Sequence, residues 1–181
     1  MLEFLDIDVE IRKSPGDFSQ ISHLIIPGVG AFDTGMKQLE ETGWKSAIES
    51  SLPNMKLLGI CLGMQLLTKG SEEGSLPGLG IVDAYCRKFD SNTATVPHMG
   101  WNSVEILQKN SLLEKCTTEK RYYFTHSYYV IAEDPGITIM ETSYGTNFVS
   151  GFQYKNICGL QFHPEKSHKY GMEILRNFAG W

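Results

Sequence analysis

The hydrophobic positions change period along the chain, and that change divides it into two textures. In the first third, short apolar runs alternate with helical patterns. SHLIIPG at 22–28 reads as a strand, with IDVEI at 7–11 as a shorter strand before it and SPGD at 14–17 as a turn. From Asp33 to Ser51 the residues Met36, Leu39, Trp44, Ala47 and Ile48 recur on one helical face. Asp33 or Thr34 can cap that helix, and Pro53 follows its stop. MKLLGI at 55–60 is too short for a helix and suits a buried parallel strand, and a second helix is expected from Leu62 to about Thr68. Strand alternating with helix predicts an α/β fold with parallel strands.

After Gly74 the texture changes. GSLPGLG is a loop, and short β-rich runs follow without long helices between them: 80–89, 102–107, 121–130, 137–144, 148–154 and 157–162. They predict a mixed or largely antiparallel sheet region. Met172, Ile174, Leu175 and Phe178 then form the apolar stripe of a closing helix.

Composition narrows the class. The chain has 181 residues, 41% hydrophobic and 20% charged, which suits one packed domain over 1–181 and not disorder. The net charge is −5 with no Lys/Arg block, so no nucleic-acid surface is expected. No apolar run reaches the ~18 residues a membrane span needs. The start, MLEFLDIDVEIRK, is acidic and lacks the apolar stretch of a secretory signal. Cysteines at 61, 86, 116 and 158 form no CxxC pair, which disfavours a zinc ribbon or dense disulfides and points to a reducing cytoplasm. No metal-ligand spacing and no cofactor motif is present.

The candidate chemistry centres on GICLGMQ, 59–65. Gly59-Ile60-Cys61-Leu62-Gly63 runs a strand directly into a helix, a cysteine form of the nucleophile elbow. A tight turn there strains the central residue, and only glycine avoids the crowding two residues to either side. It also sets the sulfur at a helix N-terminus, which favours thiolate. A lone cysteine is most often structural, as Cys86, Cys116 and Cys158 are expected to be; the flanking glycines set Cys61 apart. His163 follows the apolar run ICGLQF, and Glu165 comes two residues later. This suits a relay in which Cys61 attacks, His163 carries the proton and Glu165 orients the imidazole. Gly28, Val29 and Gly30, after the strand SHLII, can turn N–H groups towards an oxyanion, with the Leu62 N–H as second donor. Among the remaining histidines, His126 suits the core or the rim, His98 a loop and His168 a solvated helix start.

GICLGMQ, QFHPEKS and PGVGAF together resemble the triad-type (class I) glutamine amidotransferases, over nearly the whole chain from about Asp8. Within that family PGVGAFDTGM, VPHMGWN and FTHSYYV are similar to the glutaminase subunits that serve imidazole glycerol phosphate synthesis. The resemblance implies a flavodoxin-like mixed sheet flanked by helices. It implies that Cys61 attacks the L-glutamine amide, releasing ammonia and leaving a thioester for water to hydrolyse. It assigns glutamine contacts to Gln65, His126, Ser127 and Tyr128. It gives an oxyanion role to Gly28–Gly30, and a partner interface to Pro97, Met99 and Trp101. The partner it implies is a (β/α)8-barrel cyclase in a heterodimer. Similar chains begin with a further strand, Gly-rich turn and helix of roughly 20 residues, so the domain is expected to be N-terminally shortened. Two other functions fit this pattern: ammonia supply for surface-polysaccharide sugar amidation, and a catalytically silent binding module.

Overall fold

A computed structural model describes residues 1–113 and 120–181. Strand β1 (His23–Gly28) leads to helices α1 (Phe32–Glu41) and α2 (Trp44–Ser51), then to β2 (Lys56–Cys61) and α3 (Leu62–Leu66). The β-rich part comprises β3 (Ala84–Lys88), β4 (His98–Ser103), β5 (Glu105–Ile106), β6 (Arg121–His126) and β7 (Tyr128–Ala132). β8 (Thr138–Ser143), β9 (Asn147–Tyr154), β10 (Ile157–Leu160) and α4 (His168–Ala179) complete it. The main sheet runs β1-β2-β10-β9-β7-β3, with β8 on β9 and β5 on β8; β4 and β6 form a separate two-stranded sheet.

Strands β1, β2 and β10 are mutually parallel, with Gly28 opposite Cys61 and Leu160 opposite Ile60. Their C-terminal ends therefore share one edge of the sheet, where open α/β sheets place their sites. The apolar run of β2 is buried on both faces. Leu58 and Ile60 enter one core cluster and Leu57 the other, as expected of a central parallel strand. Ile174, Leu175 and Phe178 dock α4 on the first cluster. No helix among the described residues is long and apolar enough to cross a membrane.

Four sequence expectations need correction. IDVEI is not a strand: residues 7–11 pair with no strand, and Ile11 is 90% exposed. The helix expected over 33–51 breaks at Gly43, whose φ of 77° suits glycine and interrupts the α backbone although the apolar stripe continues across it. Its start is Ala31, without a side-chain cap, and the Phe32 N–H donates instead to Glu73 Oε2 at 2.9 Å. Asp33 turns away to accept from the Ser75 and Leu76 N–H groups. The expected strands 102–107 and 121–130 each split in two. His98 is not in a loop; it opens β4 and is buried.

Candidate active site

Local backbone sterics place the elbow cysteine. Cys61 ends β2 and precedes α3 with φ 52° and ψ −109°, a conformation costly for any residue with a Cβ. The turn closes only because its flanks are glycines. A Cβ on Gly59 would lie 2.7 Å from the Gly63 carbonyl carbon, and one on Gly63 would collide with the Ile26 carbonyl oxygen. Gly28 is similarly tight: a Cβ there would meet Leu62 Cβ at 2.9 Å.

His163, the expected base, arrives from the neighbouring strand. Beyond β10 the chain crosses to β6, where the His163 N–H donates to the Tyr123 carbonyl at 2.9 Å. Ser167 Oγ donates to the His163 carbonyl. His163 is 2% exposed, and its Nδ1 lies 2.6 Å from Glu165 Oε1. Burial acts to lower its pKa, but hydrogen bonding and charge from Cys61 and Glu165 outweigh burial and raise it to about 9. Burial acts to raise Glu165, and the bond to His163 brings it below the usual carboxylate range. His163 Nε2 is buried, and its contact with the Cys61 sulfur is looser than a closed hydrogen bond, as is common in sites without substrate. Cys61 Sγ lies 3.9 Å from the Thr125 carbonyl oxygen, and Gln161 Nε2 approaches it at 3.8 Å.

Cys61 opens on a cleft of about 400 Å³, behind whose lining His163 and Glu165 lie. Val29, Gly30, Cys61, Leu62, Gln65 and Pro97 line it, together with Thr125 to Tyr128. Gly30 has a φ of 108° with open space where a Cβ would be. Gly28 packs against the elbow rather than lining this cleft. Ser127 is the break between β6 and β7, the point where the chain passes from one sheet to the other. Met99 and Trp101 are exposed on β4, and His168 stacks on the Trp101 ring at 5.6 Å.

Two lining residues, Thr125 and Glu73, are given no role by the sequence. Glu73, in the loop after α3, faces the cleft while capping α1. Its distance of 41 residues from Phe32 left no local signal. Cys86 and Cys158 are buried in apolar surroundings that push both thiols up to about 12; Cys116 lies outside the described residues. Among the described residues no group of three or more His, Cys, Asp or Glu is arranged to hold a metal ion.

Comparison with known proteins agrees with this geometry. Residues 2–180 match the family Glutamine amidotransferase class-I. The chain is 47% identical to imidazole glycerol phosphate synthase subunit HisH 2 of Methanococcus maripaludis, across 98% of this chain and 90% of that protein. It is 39% identical to the subunit of the same name from Pseudomonas aeruginosa, across 99% and 90%. A solved structure titled as a glutamine amidotransferase superposes with a TM-score of 0.74 at 17% identity, covering 99% of this chain and 90% of that one; this last likeness bears on the fold alone.

Proposed function

The chain belongs to the class-I glutamine amidotransferase family, and from that premise we propose that it is the glutaminase subunit of an imidazole glycerol phosphate synthase. The observation that carries the chemistry is Cys61 at φ 52° on the elbow, beside a buried His163 whose Nδ1 lies 2.6 Å from Glu165 Oε1. Cys61, its proton already held by His163, attacks as the thiolate at the side-chain amide carbon of L-glutamine. The developing oxyanion takes hydrogen bonds from the Leu62 N–H and from the Gly28–Val29–Gly30 backbone. His163 gives its proton to the departing nitrogen, which leaves as ammonia, and a glutamyl thioester remains. His163, now neutral, takes a proton from water; the water oxygen adds to the thioester, and glutamate leaves as the sulfur is released.

Gln65 and the Ser127–Tyr128 backbone form the wall available to the substrate's backbone groups. The Glu73 carboxylate is the anionic group placed to receive the α-ammonium. The chain works in a reducing cytoplasm, consistent with three free, buried cysteines among the described residues. The face carrying Pro97, Met99 and Trp101 docks a (β/α)8-barrel cyclase, which receives the ammonia. The test is turnover of the complex with that barrel subunit. Cys61→Ala should abolish glutamine-dependent synthesis and leave ammonia-dependent synthesis intact. Loss of both, or of neither, would overturn the proposal.

A further inference from the structure

The β4 segment VPHMGWN presents two faces. Met99 and Trp101 point outward and are exposed, whereas His98 is buried and Asn102 half-buried on the opposite face. Those two inward residues begin a continuous polar chain. Asn102 Nδ2 lies 3.2 Å from His98 Nε2, His98 Nδ1 lies 3.1 Å from His126 Nε2, and His126 Nδ1 lies 2.7 Å from the Tyr128 carbonyl. The same carbonyl accepts from Gln65 Nε2 at 3.0 Å, and Gln65 Nε2 also reaches Gln161 Oε1 at 3.1 Å. Gln161 in turn approaches the Cys61 sulfur.

Donor and acceptor rules give the chain one direction. A carbonyl can only accept, so His126 carries its hydrogen on Nδ1 and presents a lone pair at Nε2. His98 must then donate from Nδ1, which leaves its Nε2 to accept from the Asn102 amide. That amide is itself oriented: its second hydrogen goes to the Ser143 carbonyl at 3.1 Å, and its oxygen accepts from the Ser103 N–H at 2.8 Å. A proton added to either imidazole would set two donors face to face. Rings surround the pair instead of other polar groups: His98 stacks between Phe124 at 4.7 Å and Tyr144 at 3.9 Å, with Phe89 and Phe148 at its edges.

We propose that His98 and Asn102 are positioning residues for glutamine recognition, acting through His126 to hold the Tyr128 backbone and the Gln65 amide in the geometry that binds substrate. The role rests on the glutamine reading of the cleft. With both acceptor sites of the Tyr128 carbonyl occupied, the strand break at Ser127 is held in place. The outward and inward faces of β4 thus join the exposed Met99–Trp101 surface to the pocket through one strand. A partner docking on that strand would be felt at Tyr128 without touching it.

Two readouts separate this role from simple packing. Nitrogen-15 spectra of the histidine rings should show His98 and His126 both as neutral Nδ1–H tautomers, the form that free imidazole side chains favour less. An Nε2–H signal from either ring would overturn the relay. The second readout is covalent capture by a glutamine-shaped chloroketone, with iodoacetamide as a reagent blind to the pocket. His98→Phe keeps the ring stack but deletes both hydrogen bonds. It should raise the half-saturating chloroketone concentration by about tenfold, the scale of one or two lost buried hydrogen bonds, with the limiting rate and the iodoacetamide rate little changed. His98→Gln can accept from Asn102 and donate to His126, and should recover most of that loss. Asn102→Asp reverses the polarity at the far end. It should reproduce the defect and move the His98 hydrogen to Nε2. Equal capture by His98→Phe and the native chain, or no recovery in His98→Gln at the same melting temperature, would overturn the proposal. A native chain that shows the stated tautomers but is not captured by the chloroketone would fail the glutamine reading instead.

Discussion

Two walls meet near Cys61, and each holds buried histidine whose surroundings push its pKa in the opposite direction. On the nucleophile side, His163 is pulled up to about 9 by Glu165 and Cys61 despite its burial. On the far side, burial holds His98 down to about 4 and His126 to about 3, with neighbouring imidazoles adding to the effect at His126. The difference lies in what each ring faces. His163 faces a carboxylate and a sulfur, groups that reward a positive charge. His98 and His126 face aromatic rings, an amide and a carbonyl arranged for neutral rings. Burial alone therefore says little about a histidine's charge; its hydrogen-bond partners decide. A charged ring suits proton transfer, and a neutral one suits holding a wall in place.

The walls also differ in what builds them, and that difference can be broken by mutation. The elbow depends on backbone clearance, so Gly63→Ala should have the largest effect. The added carbon meets the Ile26 carbonyl, a backbone atom that cannot swing aside. We expect a loss of about 3 kcal/mol or more in stability, visible in chemical denaturation, together with loss of activity. Glu165→Gln leaves the backbone alone and removes the carboxylate that keeps His163 charged. Glutaminase kcat should fall by about ten- to a hundredfold, and the upper pH limit of activity should move down. Unchanged kcat would mean that the charge on His163 comes from Cys61 alone.

The pH dependence of stability should sharpen the contrast, because the two sets of histidines act with opposite sign. The folded value of His163 lies above its ordinary 6.5, so its contribution is fully present below 6.5 and is lost as pH rises through about 9. The values of His98 and His126 lie below 6.5, so their contribution is present above 6.5 and is lost as pH falls through about 4 for His98 and about 3 for His126. Melting temperature should accordingly be highest near neutrality and fall on both sides. Glu165→Gln should soften the alkaline fall, and His98→Gln the acid one. Cys158→Ala should have the smallest effect. It leaves a modest void beside β10, worth about 1 kcal/mol, and glutaminase turnover should stay at the native level.

The same division explains what could be read from the sequence. Cys61 was legible because its constraints are local: two glycines within two residues, between an apolar run and a helix. His163 and Glu165 were legible for a related reason, since they are neighbours on a strand end. The alternation in the first third also carried the parallel β1–β2 pair. The far wall was not legible. Nothing in RYYFTHSYYV marks Ser127 as the point where β6 leaves to pair with β4 and β7 joins the main sheet. His98 looked like a loop residue because its partners are distant in sequence: His126 lies 28 residues away, Phe124 nearly as far, and Tyr144 further still. The break at Gly43 was hidden for the opposite reason: the apolar stripe carried on across it, and periodicity outweighed one glycine. Glu73 shows the same limit, since its contact with the α1 N-terminus exists only in three dimensions.

Peptide-resolved mass mapping of the native chain after treatment with the glutamine-shaped chloroketone is the most direct test that Cys61, alone among the thiols, is the nucleophile of a glutamine site. The account predicts a single adduct on Cys61, suppressed by excess L-glutamine, with Cys86 and Cys158 unmodified. Equal modification of Cys86 or Cys158, or a Cys61 adduct that L-glutamine does not suppress, would contradict it.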